Sequence, residues 1–301
     1  MEKYRFPFRA MGSPCKFQLY TEDRELAETA YKKAHAEVMR LEKKYSRYRQ
    51  DSVISTINNS AGSTKGVKVD HETALLLDYA QTVYKQSEGL FDITSGVLRR
   101  AWDFRSNKIP SQDKIDANLK LVGWDQVEWK RPYIFLKKKG MELDFGGYVK
   151  EYAVDAAASS LINSGCTSGI VDLGGDIKVL GAHPDGKPWR VGIQHPREPE
   201  KAIAATTIAQ GAIASSGDYE RFMIIGGKRY THILNPKTGW PIESFCAVSV
   251  VASECLIAGS CSTIAMLKGE QIGKQWLEDL QLPYLCVDSQ LNLSGNTNIV
   301  N

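Results

Sequence analysis

The stretch LDFGGYVKEYAVDAAASSLINSGCTSGIVDLGGDIK, from Leu143 to Lys178, states one eight-residue phrase twice. Leu143–Lys150 and Val171–Lys178 both read apolar-Asp-apolar-Gly-Gly-x-apolar-Lys. Between them Val149, Tyr152, Ala153, Ala156, Ala157 and Leu161 fall at helical spacing. The first copy therefore predicts a strand, a glycine turn and a helix start. The second passes from strand to strand, where paired glycines mean a tight turn.

Working outward, Ala27, Ala30, Tyr31, Ala34, Val38, Leu41 and Tyr45 predict a helix over Asp23–Tyr45. A second helix follows a cap at Asp70 and runs through Leu75, Leu76, Tyr79, Ala80, Val83 and Tyr84. Between them YSRYRQDSVISTIN reads as a polar, aromatic connection, and the charged stretch ending near Asp116 reads as surface. From Trp189 onward strands prevail: WRVGIQH, AIAATTIA, RFMII, KRYTHIL and AVSVVA. Helices are expected again at about Glu254–Leu267 and Glu270–Leu280, then a strand at YLCVD. Strand runs and helix runs are segregated, so the expected class is α+β. With no linker or low-complexity tract, one compact domain over residues 1–301 is expected, with mixed β-sheets flanked by helices.

A net charge of +3 is too small to imply a nucleic-acid partner. No segment nears the length of apolar sequence a membrane span needs, and MEKYRFPFRAMGSP lacks a signal peptide's apolar run. A cytoplasmic location is expected on that basis. The six cysteines contain no Cys-x-x-Cys pair and no zinc spacing, so they read as reduced, mostly buried thiols.

Several segments carry groups suited to chemistry. Asp144-Phe-Gly-Gly-x-x-Lys150 offers a carboxylate, bare glycine amides and a lysine one helical turn later, which suits a phosphorylated ligand. The same residues also make an ordinary strand-to-helix turn with a surface lysine. His232 lies between strand residues and an Asn-Pro turn, and histidine is the side chain whose unperturbed pKa lies near neutrality. Ser215, Ser216 and Asp218 precede it, which invites a hydrolase triad, but Gly-x-Ser-x-Gly is absent and a hydroxyl-capped turn fits as well. Ser262 and Thr263 open a helix of small residues, facing either a ligand or their own backbone.

Taken in order, these segments resemble the ApbE family of flavin transferases. The likeness runs through Ala10-Met-Gly-Ser13, Ser46-Arg-Tyr-Arg-Gln-Asp-Ser52, Phe91-Asp-Ile-Thr94, Leu143–Lys150, Tyr152-Ala-Val-Asp155, Asp172–Asp176, Ser215-Ser-Gly-Asp-Tyr219 and Thr231-His-Ile-Leu-Asn-Pro236. The resemblance implies an ApbE-like fold and an enzyme, an FAD:protein FMN transferase. Such an enzyme moves FMN from FAD to a serine or threonine hydroxyl of an acceptor protein with Mg²⁺, releasing AMP. The acceptor would be a flavoprotein or a redox-complex subunit. Carried over by position, Met11, Tyr48, Leu90, Phe91, Asp92, Asp144, Lys150 and Leu234 line the flavin nucleotide site. Gly147, through its carbonyl, and Thr263 face the metal, and His232 is the catalytic base.

Two positions depart from the family pattern. Gly259 stands where a metal-binding aspartate is usual, and Glu151 stands where glycine usually follows the lysine. Mg²⁺ favours anionic oxygen, so the first departure opens two alternatives: an FAD-binding protein with weakened catalysis, or an FAD pyrophosphatase. It also predicts that Gly259→Asp raises metal affinity.

Overall fold

A computed structural model describes residues 1–300. The chain begins with a hairpin, β1 (Glu2–Ala10) and β2 (Ser13–Thr21), then α1 (Arg24–Tyr45), α2 (Val53–Asn59), β3 (Val67–Lys68) and α3 (His71–Gln86). Next come α4 (Gln112–Leu119), β4 (Val127–Lys130), β5 (Tyr133–Leu136) and α5 (Val149–Asn163). A run of strands follows: β6 (Gly169–Leu173), β7 (Asp176–Val179), β8 (Trp189–Gln194), β9 (Ala202–Ile208), β10 (Ala212–Gly217), β11 (Phe222–Ile225), β12 (Lys228–Thr231) and β13 (Ala247–Ala252). The chain closes with α6 (Cys255–Lys268), α7 (Glu270–Asp279), β14 (Tyr284–Val287), β15 (Leu293–Gly295) and β16 (Ile299–Val300).

Eight strands form the central sheet in the order β1-β2-β6-β7-β10-β13-β14-β15. The α+β class holds. The sheets, expected as mixed, pair antiparallel in every ladder. Tight turns such as Gly174-Gly175, at φ 65° and 90°, allow this by returning the chain beside itself. Alternation along each strand sends residues to two different layers. Phe17, Leu19, Val171, Ala212, Ala214 and Val248 meet α1, α5 and α6 in the main core. Ile213 and Val179 instead meet Trp189, Val191 and Ile193 of a three-stranded sheet on the opposite face.

The sequence pattern assigns no element to the β1–β2 hairpin or to β3, β4 and β5, and it misreads three further segments. The connection after α1 contains α2, capped by Ser52 Oγ accepting from Ser55 N–H at 3.0 Å, with Ile54 and Ile57 buried. The charged stretch contains α4, anchored by buried Ile115. Ser215 and Ser216, read as a turn, lie within β10, paired with Ser249 and Val248 of β13. Leu143–Phe145 differs in the other sense, since it joins no ladder. Asn58 serves there as a surrogate strand: its side chain accepts from Leu143 N–H at 2.7 Å and donates to Leu143 O at 3.0 Å. All six cysteines are free and buried, as expected. Among the described residues no helix is long and apolar enough to cross a membrane.

Asp155, nearly two turns into α5, sets the position of α6. Its carboxylate accepts from Cys255 N–H and Leu256 N–H, both at 2.9 Å, so a residue of one helix caps another. It also pairs with Lys178 of β7 at 2.9 Å. Asp155→Ala should leave the Lys178 ammonium short of its inner partner and two helix amides bare, costing about 3 kcal/mol. Urea unfolding measures this directly, and a loss below about 1 kcal/mol would show the cap to be dispensable.

Candidate active site

The glycine turn of the first repeat and the hairpin of the second meet. Lys150 Nζ lies 2.7 Å from Asp176 Oδ2, so the lysine of one copy pairs with an acid of the other. Burial works to strip the proton from Lys150, and Asp176 outweighs it, holding the amine charged above its ordinary range. Asp176 Oδ1 also accepts from Ser215 N–H at 3.4 Å, joining β10 to the pair.

Asp144 sits on the other flank of the turn. It pairs with Arg47, and its Oδ1 accepts from Gly146 N–H at 2.9 Å. That leaves the Gly147 amide, not both glycine amides, free for a ligand among the described residues. Tyr148 adopts non-helical backbone angles and α5 begins at Val149, so no backbone N–H takes the Gly147 carbonyl among those residues. Arg47 donates to Tyr48 Oη at 2.8 Å, with its guanidinium carbon 4.8 Å from the ring centre. The ring is 77% exposed and so offers a free aromatic face. Desolvation raises the Tyr48 phenol, but Arg47 and Arg221 together outweigh it and leave the phenol below its ordinary value.

His232 follows β12 and is partly buried. Its N–H donates to Arg221 O at 2.9 Å, and its Nδ1 lies 3.2 Å from the same oxygen. A carbonyl only accepts, so the neutral ring carries its proton on Nδ1 and presents a lone pair at Nε2. Burial, chiefly, with the charges of Arg221 and Lys150, lowers the ring to about 4, against small opposing effects of the Arg221 carbonyl and Asp218. The imidazole is therefore neutral at pH 7 and able to accept a proton.

The hydrolase triad is not assembled. Asp218 is held bidentately by Arg197 at 2.6 and 2.8 Å. Ser215 Oγ bonds Ser249 Oγ at 2.7 Å, and Ser216 Oγ lies 2.8 Å from both Ser262 Oγ and Thr263 Oγ1. Ser262 also bonds back to Gly259 O at 2.9 Å, so Thr263 is the more outward of the α6 hydroxyls.

The remaining expected ligand residues take varied places. Met11 occupies the left-handed β1–β2 turn at φ 53°, its N–H bound to Glu42 at 2.9 Å. Leu90 is partly buried, and Phe91 supports the turn from below, 3.6 Å from where a Gly147 Cβ would stand. Asp92 has no free oxygen: Thr94 N–H and Oγ1 donate to Oδ1 at 2.8 and 2.7 Å, and Trp124 N–H to Oδ2 at 3.0 Å. Its carboxylate therefore fixes the loop that carries Leu90 and Phe91. Leu234 packs against the cluster around Trp102 and Ile115. A surface pocket of about 540 Å³ lies across the sheet near Tyr20, Asp172 and Trp189, away from these groups. Arg47, Arg221, Asp155 and Asp176 were assigned no role from sequence.

Glu151, expected beside the phosphate turn, is buried instead, and Oε2 has no hydrogen-bond partner. Burial, reinforced by Asp176 and opposed by Lys150, pushes its carboxyl up to about 8.

The chain is similar to known proteins along most of its length. Residues 11–286 match the model of the ApbE family. A Chlamydia pneumoniae protein named FAD:protein FMN transferase is 34% identical, the match covering 78% of this chain and 75% of that protein. One of the same name from Vibrio cholerae is 30% identical, over 80% and 74%. Among solved structures, the ApbE protein of Thermotoga maritima superimposes with a TM-score of 0.88 at 27% identity, covering 98% of this chain and 97% of that one. The flavin transferase ApbE from Vibrio cholerae gives 0.87 at 25%, over 99% and 97%. A family match across most of the chain, a shared fold and the geometry at the paired repeats lead to one conclusion: the chain belongs to the ApbE family of flavin-transferring enzymes.

Proposed function

We propose that this enzyme transfers the FMN half of FAD to a serine or threonine hydroxyl of an acceptor protein, a flavoprotein or redox-complex subunit, and releases AMP. The observation that carries the reading is the neutral His232, with its Nε2 lone pair free, near the charged Lys150. The names of the similar proteins support the same reaction.

The donor set fits a hard divalent cation such as Mg²⁺, because the unpartnered Gly147 carbonyl and the Thr263 hydroxyl are both oxygens. When bound, the cation would offset charge on the pyrophosphate oxygens. Lys150 supplies fixed positive charge at the same turn, and the Gly147 amide a hydrogen-bond donor. Tyr48 offers its open face to the flavin ring, with Arg47 setting the angle of that face. His232 takes the acceptor's hydroxyl proton on Nε2 as the oxygen bonds to the FMN phosphorus. The bond from that phosphorus to the bridging oxygen breaks, and AMP leaves with the electron pair.

His232→Asn should lower the transfer rate by about 100-fold or more, with FAD affinity nearly unchanged. Mass spectrometry of an acceptor peptide incubated with FAD and Mg²⁺ reports the adduct. FMN and AMP appearing without an adduct would replace transfer by hydrolysis, and tight FAD binding with neither product would make the chain a carrier. Loss of FAD binding in His232→Asn would make the histidine structural.

The His232 ring should titrate near 4 in the free protein, read from its side-chain ¹⁵N shifts as pH falls. Its folded value lies below the roughly 6.5 of an unfolded histidine, so the unfolded chain binds the proton first. The group is therefore without penalty above about pH 6.5, and native stability declines as pH drops from there towards 4. A ring titrating at 6.5 or above would remove the basis for a neutral base held by burial.

A further inference from the structure

Glu151 and Gly259, far apart in sequence, occupy one place in the fold. A Cβ added to Gly259 would stand 2.5 Å from Glu151 Cγ, 2.9 Å from Oε1 and 3.0 Å from Cδ. The glutamate of α5 thus fills the volume a side chain at position 259 of α6 would take. Glu151 is 8% exposed, and its buried Oε2 has no hydrogen-bond partner among the described residues.

The surrounding charges leave this carboxylate without a partner of its own. Lys150 is held by Asp176 at 2.7 Å, and Lys178 by Asp155 at 2.9 Å and by Glu254. Tyr79, the nearby phenol, gives its hydrogen bonding to Ser260 Oγ at 2.9 Å and Leu256 O at 3.2 Å. A buried carboxylate with an orphan oxygen is costly unless a cation meets it. Glu151 lies four residues beyond Gly147, and Gly259 four before Thr263. The second step is one turn of α6, about 6 Å, and Glu151 lies in the first turn of α5, just after the Gly147 turn.

We propose that Glu151 is the anionic ligand of a magnesium-class divalent cation, reaching it from α5 over the bare backbone of Gly259. The Gly147 carbonyl, the Thr263 hydroxyl, water and the pyrophosphate oxygens of FAD complete the coordination, so only that last share rests on the flavin-transfer reading. Glycine at 259 is then required by the site: any larger side chain pushes against Glu151 Cγ. This reverses the expectation drawn from the sequence for Gly259→Asp. Aspartate there, with Glu151 still present, displaces the existing ligand and sets two carboxylates against each other, so metal affinity falls. With Glu151→Gly added, the carboxylate returns from the other helix and affinity recovers.

Mn²⁺ binding, followed by electron paramagnetic resonance of the free ion with and without FAD, tests this apart from activity. Glu151→Gln keeps the side-chain shape and should weaken Mn²⁺ binding at least about tenfold. FAD affinity without metal, read from flavin fluorescence, should stay the same. Gly259→Ala should also weaken Mn²⁺ by moving Glu151, and the Glu151→Gly, Gly259→Asp double variant should return to within a few-fold of the parent. Thermal melts confirm that each variant is folded. Mn²⁺ affinity in Glu151→Gln within twofold of the parent overturns the assignment, and does so even if FMN transfer persists. A selective loss of Mn²⁺ affinity supports it, even in a preparation that transfers no FMN.

Discussion

Two lysine–carboxylate pairs hold the site together. Lys150–Asp176 and Lys178–Asp155 cross between helix α5 and the β6–β7 hairpin, each lysine of one repeat meeting an acid of the other segment. Both pairs are largely sheltered from water, where breaking one member is far more damaging than at the surface. Asp155 adds a second task by capping α6, so one carboxylate sets the helix that carries Gly259 and Thr263. The glycine turn, the hairpin and α6 are therefore tied together.

On that frame the electrostatics divide by sign. Lys150, Arg47 and Arg221 bring positive charge to the turn and to Tyr48. The charges of Arg221 and Lys150, after burial, also help keep His232 neutral. Two of the three cations thus add to burial in keeping the His232 imidazole unprotonated at neutral pH. Asp144, by contrast, is paired with Arg47, and Asp92 is consumed by backbone and hydroxyl donors, so neither adds free negative charge. Glu151 is the exception, buried without a partner beside Gly259.

Much of the fold was legible. Long helices with steady apolar spacing, such as α1, and the paired-glycine turns were readable because their signals are local. Short elements were not. The seven-residue α2 depends on burying Ile54 and Ile57, and β10 is built from small residues that sheet partners on both sides hold in place. The segment before α5 looked like a strand, but the Asn58 side chain replaced a neighbouring ladder. Tertiary contacts overrode local propensity at each of these points.

By itself the sequence determined the α+β class, the repeated glycine turns, the family resemblance and the choice of His232, Asp144 and Lys150 as chemical groups. Those follow from residue type and spacing along one chain. Only the tertiary structure decided which lysine meets which acid, that Asp218 turns to Arg197 and not to His232, and that Nε2 is the open ring nitrogen. It also decided that Glu151 and Gly259, apparently two separate departures, share one volume. The reason is physical: charge pairing, desolvation and steric occupancy act over a few ångströms of space, and residues 151 and 259 become neighbours only when α5 and α6 pack.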